Sequence, residues 1–229
     1  MMGFYRIIIC LSLIVTGISC SDEESVSQVV PETTGSFVDA RDGYEYHWVR
    51  IGGLDWTTEN SHYYTDDLTC YIYQPYNYGQ SVDYTELYFE QYGYLYSLSG
   101  ALAAVPEGWR LPTDEDWKKL EMALGLSSKE TEALDWRGAF AGELMMQKNE
   151  GTMLNMQLGG YKIMRTTGGD EGSHLLGSSG FYWTSTRNES KDGEYYYFRK
   201  LFYNSPQVFR QSMEPDKNML SVRFVRDAQ

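Results

Sequence analysis

At 229 residues the chain is long enough for one domain with a sizeable core. Its 32 Asp plus Glu against 19 Lys plus Arg leave a net charge of -13, which argues against nucleic acid or an anionic lipid surface as partner. With 20 Tyr, 22 Gly and 15% aromatic residues, the chain is neither disordered nor a coiled coil, and turn-rich β structure is expected.

The N-terminus predicts export. Residues 1–19 carry one cation, Arg6, then the apolar run Ile7 to Val15 and the small residues Gly17 and Ser19 before Cys20. The run is roughly half the ~20 residues that a membrane span requires, so it reads as a cleaved signal. Gly17-Ile18-Ser19-Cys20 resembles a bacterial lipobox, with Ile18 where a small residue is usual, and it predicts lipidation at Cys20. Ser21, Asp22, Glu23 and Glu24 resemble the acidic tag that sends Bacteroidetes-type lipoproteins to the outer face of the outer membrane. The expected location is therefore the cell surface, with Cys20 held in outer-membrane lipid. Residues 20–36 read as a flexible acidic tether, and the folded domain is expected over 37–227. Of the three cysteines only Cys70 falls in that domain, so no internal disulfide and no Cys-Cys redox pair is available; Cys70 reads as a small buried hydrophobe.

Along the domain, Asp42-Gly43 and Gly52-Gly53 mark tight turns around alternating residues 44–51 and the run Leu54 to Thr58. Residues 61–96 hold eleven Tyr, five acids and no Lys or Arg, with Tyr71/Tyr73, Tyr76/Tyr78 and Tyr92/Tyr94/Tyr96 at every second position. An extended chain would line one face with those rings. Two readings stand: a half-buried sheet layer, or a recognition surface. Helices are expected over Ser99–Val105, from an N-cap at Thr113 to Gly125, and over Ser128–Leu134 and Ala139–Gln147. Strands are expected at Met153–Met164, Gly180–Thr186, Tyr195–Tyr203, Gln207–Gln211 and Leu220–Arg226, with a Gly-rich loop at Thr166–Gly180. Strands, then helices, then strands imply α+β.

Several blocks in order resemble a known family: Asp42-Gly43-x-x-Tyr46, Trp56, Glu59-Asn60, Tyr94-x-Tyr96, Pro106-x-Gly108-Trp109-Arg110-Leu111-Pro112-Thr113-Asp114-x-x-Trp117, Gly159-Gly160-Tyr161, Gly180-Phe181-Tyr182-Trp183-Thr184-Ser185-Thr186 and Ser221-Val222-Arg223-Phe224-Val225-Arg226-Asp227. They are similar to the Fibrobacter succinogenes major paralogous domain. The resemblance implies an exported domain of C-type-lectin-like fold, a twisted antiparallel sheet with a few short helices, and it carries no assigned activity. Arg110-Leu111-Pro112-Thr113 with Trp117 also resembles the formylglycine-generating branch of that fold, whose chemistry uses a cysteine pair; Cys70, alone in the domain, does not supply it.

No catalytic signature emerges. His47, His62 and His174 lack metal-ligand spacing, and no nucleophile motif is present. Calcium is the only cofactor the sequence brings up. Its candidates, Glu214-Pro215-Asp216-Lys217-Asn218 and Asp170-Glu171 with His174, read as a surface turn and a solvated loop. Trp109, Trp117 and Trp183 read as core. The expected function is a non-catalytic surface module that binds a glycan or a protein through Tyr71, Tyr73, Tyr76 and Tyr78. A structural appendage subunit, and an enzyme on the formylglycine-generating fold, are the alternatives.

Overall fold

The computed structural model describes residues 28–66, 69–72, 85–164 and 173–229. Its strands are β1 (Thr34–Val38), β2 (Glu45–Ile51), β3 (Leu54–Thr57), β4 (Cys70–Tyr71), β5 (Leu95–Tyr96), β6 (Asp135–Arg137), β7 (Tyr161–Ile163), β8 (Ser173–His174), β9 (Ser179–Arg187), β10 (Tyr196–Phe202), β11 (Val208–Met213), β12 (Asn218–Met219) and β13 (Val225–Asp227). The helices are α1 (Thr85–Tyr92), α2 (Leu98–Ala103), α3 (Asp114–Ala123), α4 (Ser128–Glu132) and α5 (Ala141–Met146). Two four-stranded sheets, ordered β1-β2-β3-β13 and β6-β11-β10-β9, are joined by smaller sheets β12-β7-β8 and β4-β5. All pairings between named strands are antiparallel, so the chain is α+β with short helices.

Local chemistry explains the best-defined elements. Gly52 and Gly53 take φ of 63° and 74°, the left-handed pair a two-residue hairpin demands, and they link β2 to β3. Thr113 caps α3 reciprocally: its hydroxyl accepts from the Asp116 amide at 3.0 Å, and the Asp116 carboxylate accepts from the Thr113 amide at 2.9 Å. One face of α3 then buries Trp117 and Leu120, with Leu124 just beyond its end; the Trp117 ring packs 5.1 Å from Trp56 and 5.8 Å from Tyr182. A second core gathers Tyr46, Tyr96, Trp109, Trp183 and Phe224, so all three tryptophans expected inside are inside. Cys70 is buried there as well.

The faces of β10 are chemically opposite. Arg199 and Leu201 point inward while Phe198, Lys200 and Phe202 take the other face, the period-2 rule of a strand. Inside, Arg199 donates to Glu121 at 2.6 Å and to Asp114 at 2.7 Å, Arg210 grips Asp114 at 2.6 and 3.0 Å, and Arg137 donates to both Glu121 oxygens. Burial raises the Asp114 carboxyl, but the two arginines more than reverse this and hold it at about 2. Burial lowers Arg137 to about 10 against the pull of Glu121, and its Nε and Nη1 have no hydrogen-bond partner.

Five expectations need correction. Residues 61–96 are not one extended layer: α1 occupies Thr85–Tyr92, so Tyr88 and Tyr92 sit one helical turn apart with rings 6.2 Å apart. The Met153–Met164 strand shrinks to β7, because Met153 and Asn155 adopt φ of 54° and 50°, which no strand tolerates. The Leu220–Arg226 strand is broken; only Val225 onward pairs in β13, and Arg223 is buried at the centre of a hydrogen-bond hub. Residues 135–137, unassigned by pattern, form the edge strand β6. Regular pairing also starts at Thr34, inside the segment read as tether.

Candidate functional site

Antiparallel partners share a face, so the register of the second large sheet fixes which side chains meet. One rung runs Trp136, Phe209, Lys200, Phe181, and the next runs Gln211, Phe198, Trp183. The rings form a continuous strip. Trp136 to Phe209 is 5.2 Å between centroids, Phe209 to Phe198 is 6.0 Å, Phe198 to Phe181 is 6.0 Å, Phe181 to Tyr161 is 4.8 Å, and Tyr161 to His174 is 5.5 Å. Lys200 lies over the middle, its ammonium 5.2 Å from the Phe181 ring and 5.7 Å from the Trp136 ring. The strip opens to solvent at Trp136, which is 36% exposed; Phe202, two positions beyond Lys200 on the same face of β10, packs 4.8 Å from Tyr203, which is 63% exposed. Phe209, Phe202, Tyr161 and His174 are half-buried. Phe181, Phe198 and Trp183 at the centre of the strip are buried in the second core, so the part that can stack on the apolar face of a sugar ring, or on a protein surface, is the open end around Trp136, Phe209 and Lys200.

The tyrosines singled out from sequence divide differently. Tyr71 is half-buried with the Lys162 ammonium 3.6 Å from its ring; Tyr73, Tyr76 and Tyr78 lie outside the described residues, as does Cys20. Nearby rings are structural. Tyr96 is buried, donating to the Tyr63 carbonyl at 2.6 Å, and Tyr44 stacks on His62 at 4.2 Å, its hydroxyl pushed up to about 12 by burial and the nearby Glu59 and Glu90. Burial also lowers the His62 pKa against its backbone hydrogen bonds. Trp136, Phe209, Lys200 and Phe202 were missed. Their signal was in the sequence as the alternations Phe198-x-Lys200-x-Phe202 and Phe209-x-Gln211-x-Met213, but it acquires meaning only when the register sets the strands side by side.

A concave region lies elsewhere. A cleft of about 410 Å³ between β1, β2 and the 148–155 segment is lined by His47, Trp48, Glu59, Lys148 and Asn149, and a second of about 350 Å³ shares Lys148 and Asn155 with it. Glu59 holds His47 by two 2.9 Å contacts, to the backbone amide and to Nδ1. Ser36 stands opposite His47 in the β1–β2 register, yet no hydrogen bond between their side chains is present among the described residues. An oriented imidazole without an engaged nucleophile is half of an acyl-transfer site. Among the described residues no group of three or more His, Cys, Asp or Glu could hold a metal ion. The Glu214–Lys217 turn is closed by its own 2.6 Å ion pair.

No helix among the described residues is long and apolar enough to cross a membrane. No curated protein and no solved structure matches the chain. The family model described as the Fibrobacter succinogenes major domain matches residues 49–226, from the middle of β2 into β13. The matched stretch contains α3 with its Thr113 cap, the buried ion network and the aromatic strip, and the chain belongs to the Fibrobacter succinogenes major domain family.

Proposed function

We propose that this chain is a non-catalytic recognition module, displayed on the cell surface as a lipoprotein and binding a glycan chain along the aromatic face of the β6-β11-β10-β9 sheet. The observation that carries the reading is the open end of the strip, the exposed Trp136 ring 5.2 Å from the half-buried Phe209, with the Lys200 ammonium 5.7 Å from Trp136. A C-type-lectin-like domain over 37–227 is part of the proposal, supported by antiparallel sheets joined by short helices. The proposed surface is the open end of this face, where Trp136 is exposed and Phe209 and Lys200 are half-buried, whereas Tyr96 of the 61–96 stretch and the central rings Phe181 and Phe198 of the strip are core.

The test is a panel of soluble and insoluble polysaccharides, with and without calcium. Each exposed stacking ring contributes about 1 kcal/mol, so Trp136→Ala and Tyr203→Ala should each weaken binding about fivefold while leaving the fold intact. Binding by both variants at wild-type strength would place the ligand elsewhere; a blank panel with capture of a protein at this face would favour a protein partner.

The surface location rests on the export signal and the residues after Cys20. Palmitate should label the wild type and not Cys20→Ala. Equal labelling of the two overturns the lipid anchor, and protection from protease on intact cells overturns the outward orientation.

A further inference from the structure

We infer that the aromatic face selects a carboxylated polysaccharide, a chain containing uronic acid residues, with Lys200 as the residue that reads the carboxylate. The inference rests on the glycan reading above and adds the chemical class of the ligand. Lys200 is half-buried, and burial is the influence that lowers its pKa. No ion pair or hydrogen bond engages its ammonium among the described residues; its neighbours are the rings of Trp136 and Phe181. Other partly buried cations of this chain are matched: Arg50 and Arg226 share Asp55, Arg110 holds Asp116, and Lys118 reaches Glu115 and Glu132. In a chain with 13 more acids than bases, a partly desolvated lysine left without a carboxylate is a donor kept for something outside the molecule.

The face around it is consistent. The two rungs Trp136-Phe209-Lys200-Phe181 and Gln211-Phe198-Trp183 contain no carboxylate, so nothing on them repels an anion arriving at Lys200. The exposed Trp136 ring, 5.7 Å from the ammonium, offers a stacking surface for the sugar ring whose carboxylate Lys200 meets. The negative charge of the whole chain acts differently from this local cation. At physiological ionic strength the screening length is about 8 Å, so the remaining acids slow encounter more than they oppose contact. Binding that depends on Lys200 should therefore hold or strengthen as salt rises from about 20 mM to about 150 mM. Non-specific attraction of a polyanion to a basic surface would weaken over the same range.

The experiment measures the full chain against polygalacturonate and its methyl-esterified form, with chelator present so that calcium bridging contributes nothing. The wild type should prefer the acid form by about tenfold, and Lys200→Gln should remove that preference while keeping the weaker binding of the ester. Lys200→Arg should retain the preference, which keeps the test decisive if Lys200→Gln lowers stability. Equal affinity for acid and ester, or an acid preference that survives Lys200→Gln, overturns the role of Lys200 and leaves the glycan reading standing. Binding to neither form nor to any neutral polysaccharide, with the fold intact, overturns the glycan reading itself and this inference with it.

Discussion

Replacing Glu121 by Gln is expected to destabilise the domain by about 3–5 kcal/mol, although the two side chains are nearly the same shape. Glu121 is fully buried and receives Arg137 through both oxygens and Arg199 through one. The cluster already contains more cationic than anionic groups, and Arg137 keeps two N–H groups without partners. Neutralising Glu121 would leave Arg137 with no anion at all in a site that excludes water. The size of the effect comes from the stranded cation, not from the worth of the pair, so Glu121→Met combined with Arg137→Met should be less damaging than Glu121→Gln alone. Denaturant unfolding at constant slope measures both. A loss below about 1 kcal/mol for Glu121→Gln would show that water or the carbonyl of the new amide meets the Arg137 charge.

The same network sets the acid limit of the fold. Asp114 is held at about 2 in the folded chain, below its unfolded value of 3.8, so it binds protons more readily unfolded. Its contribution, about 2 kcal/mol, is complete above roughly pH 5 and is lost as the pH falls through 4 toward 2. Acid unfolding should therefore begin in that window and shift to higher pH in Arg210→Met, which removes two bonds to Asp114 of 2.6 and 3.0 Å.

What the sequence disclosed depended on range. The α3 cap, the Gly52-Gly53 turn and the burial of Trp117 were legible because each rests on residues within a few positions of one another. The long strands of the second sheet were legible from alternation. Their roles were not: Phe198, Arg199 and Lys200 are consecutive, yet Phe198 is buried in the second core, Arg199 lies in the buried ion network and Lys200 lies at the candidate site. Composition sees three residues, and only the pairing with Phe209 and Arg210 on β11 separates them. The 61–96 stretch carries two periods: the ends at Cys70–Tyr71 and Leu95–Tyr96 pair as strands, while Tyr88 and Tyr92, four apart, lie on α1. Positive φ at Met153 and Asn155 had no signal, since neither is glycine and the restraint that holds them lies 68 positions away from Asn155, in Arg223.

That restraint leads to the last expected result, a loss of about 3 kcal/mol or more on replacing Arg223 by Lys. Arg223 is completely buried with no carboxylate in its hydrogen-bond set; it donates to Asn60 Oδ1 at 2.8 Å and to the carbonyls of Thr57, Leu154 and Asn155 at 2.7, 3.0 and 2.5 Å. Burial lowers its pKa, with Tyr182 and Glu59 opposing, and the guanidinium is suited to the site because its planar fork serves acceptors on two segments, 57–60 and 154–155, at once. A lysine ammonium carries three donors on one atom and cannot span them. The segment from Met153 to Asn155 would then lose what holds its left-handed backbone, while Asn155 still reaches the Thr58 carbonyl at 3.2 Å. Hydrogen exchange should accelerate at the amides of Asn155 and Met156, which bond the carbonyls of Gln147 and Met145, before it accelerates in β10 and β11. A uniform acceleration across both regions would mean that Arg223 supports the whole fold equally, whereas a selective one assigns it to the wall of the Lys148 cleft, whose shape it would then control from the far end of the sequence.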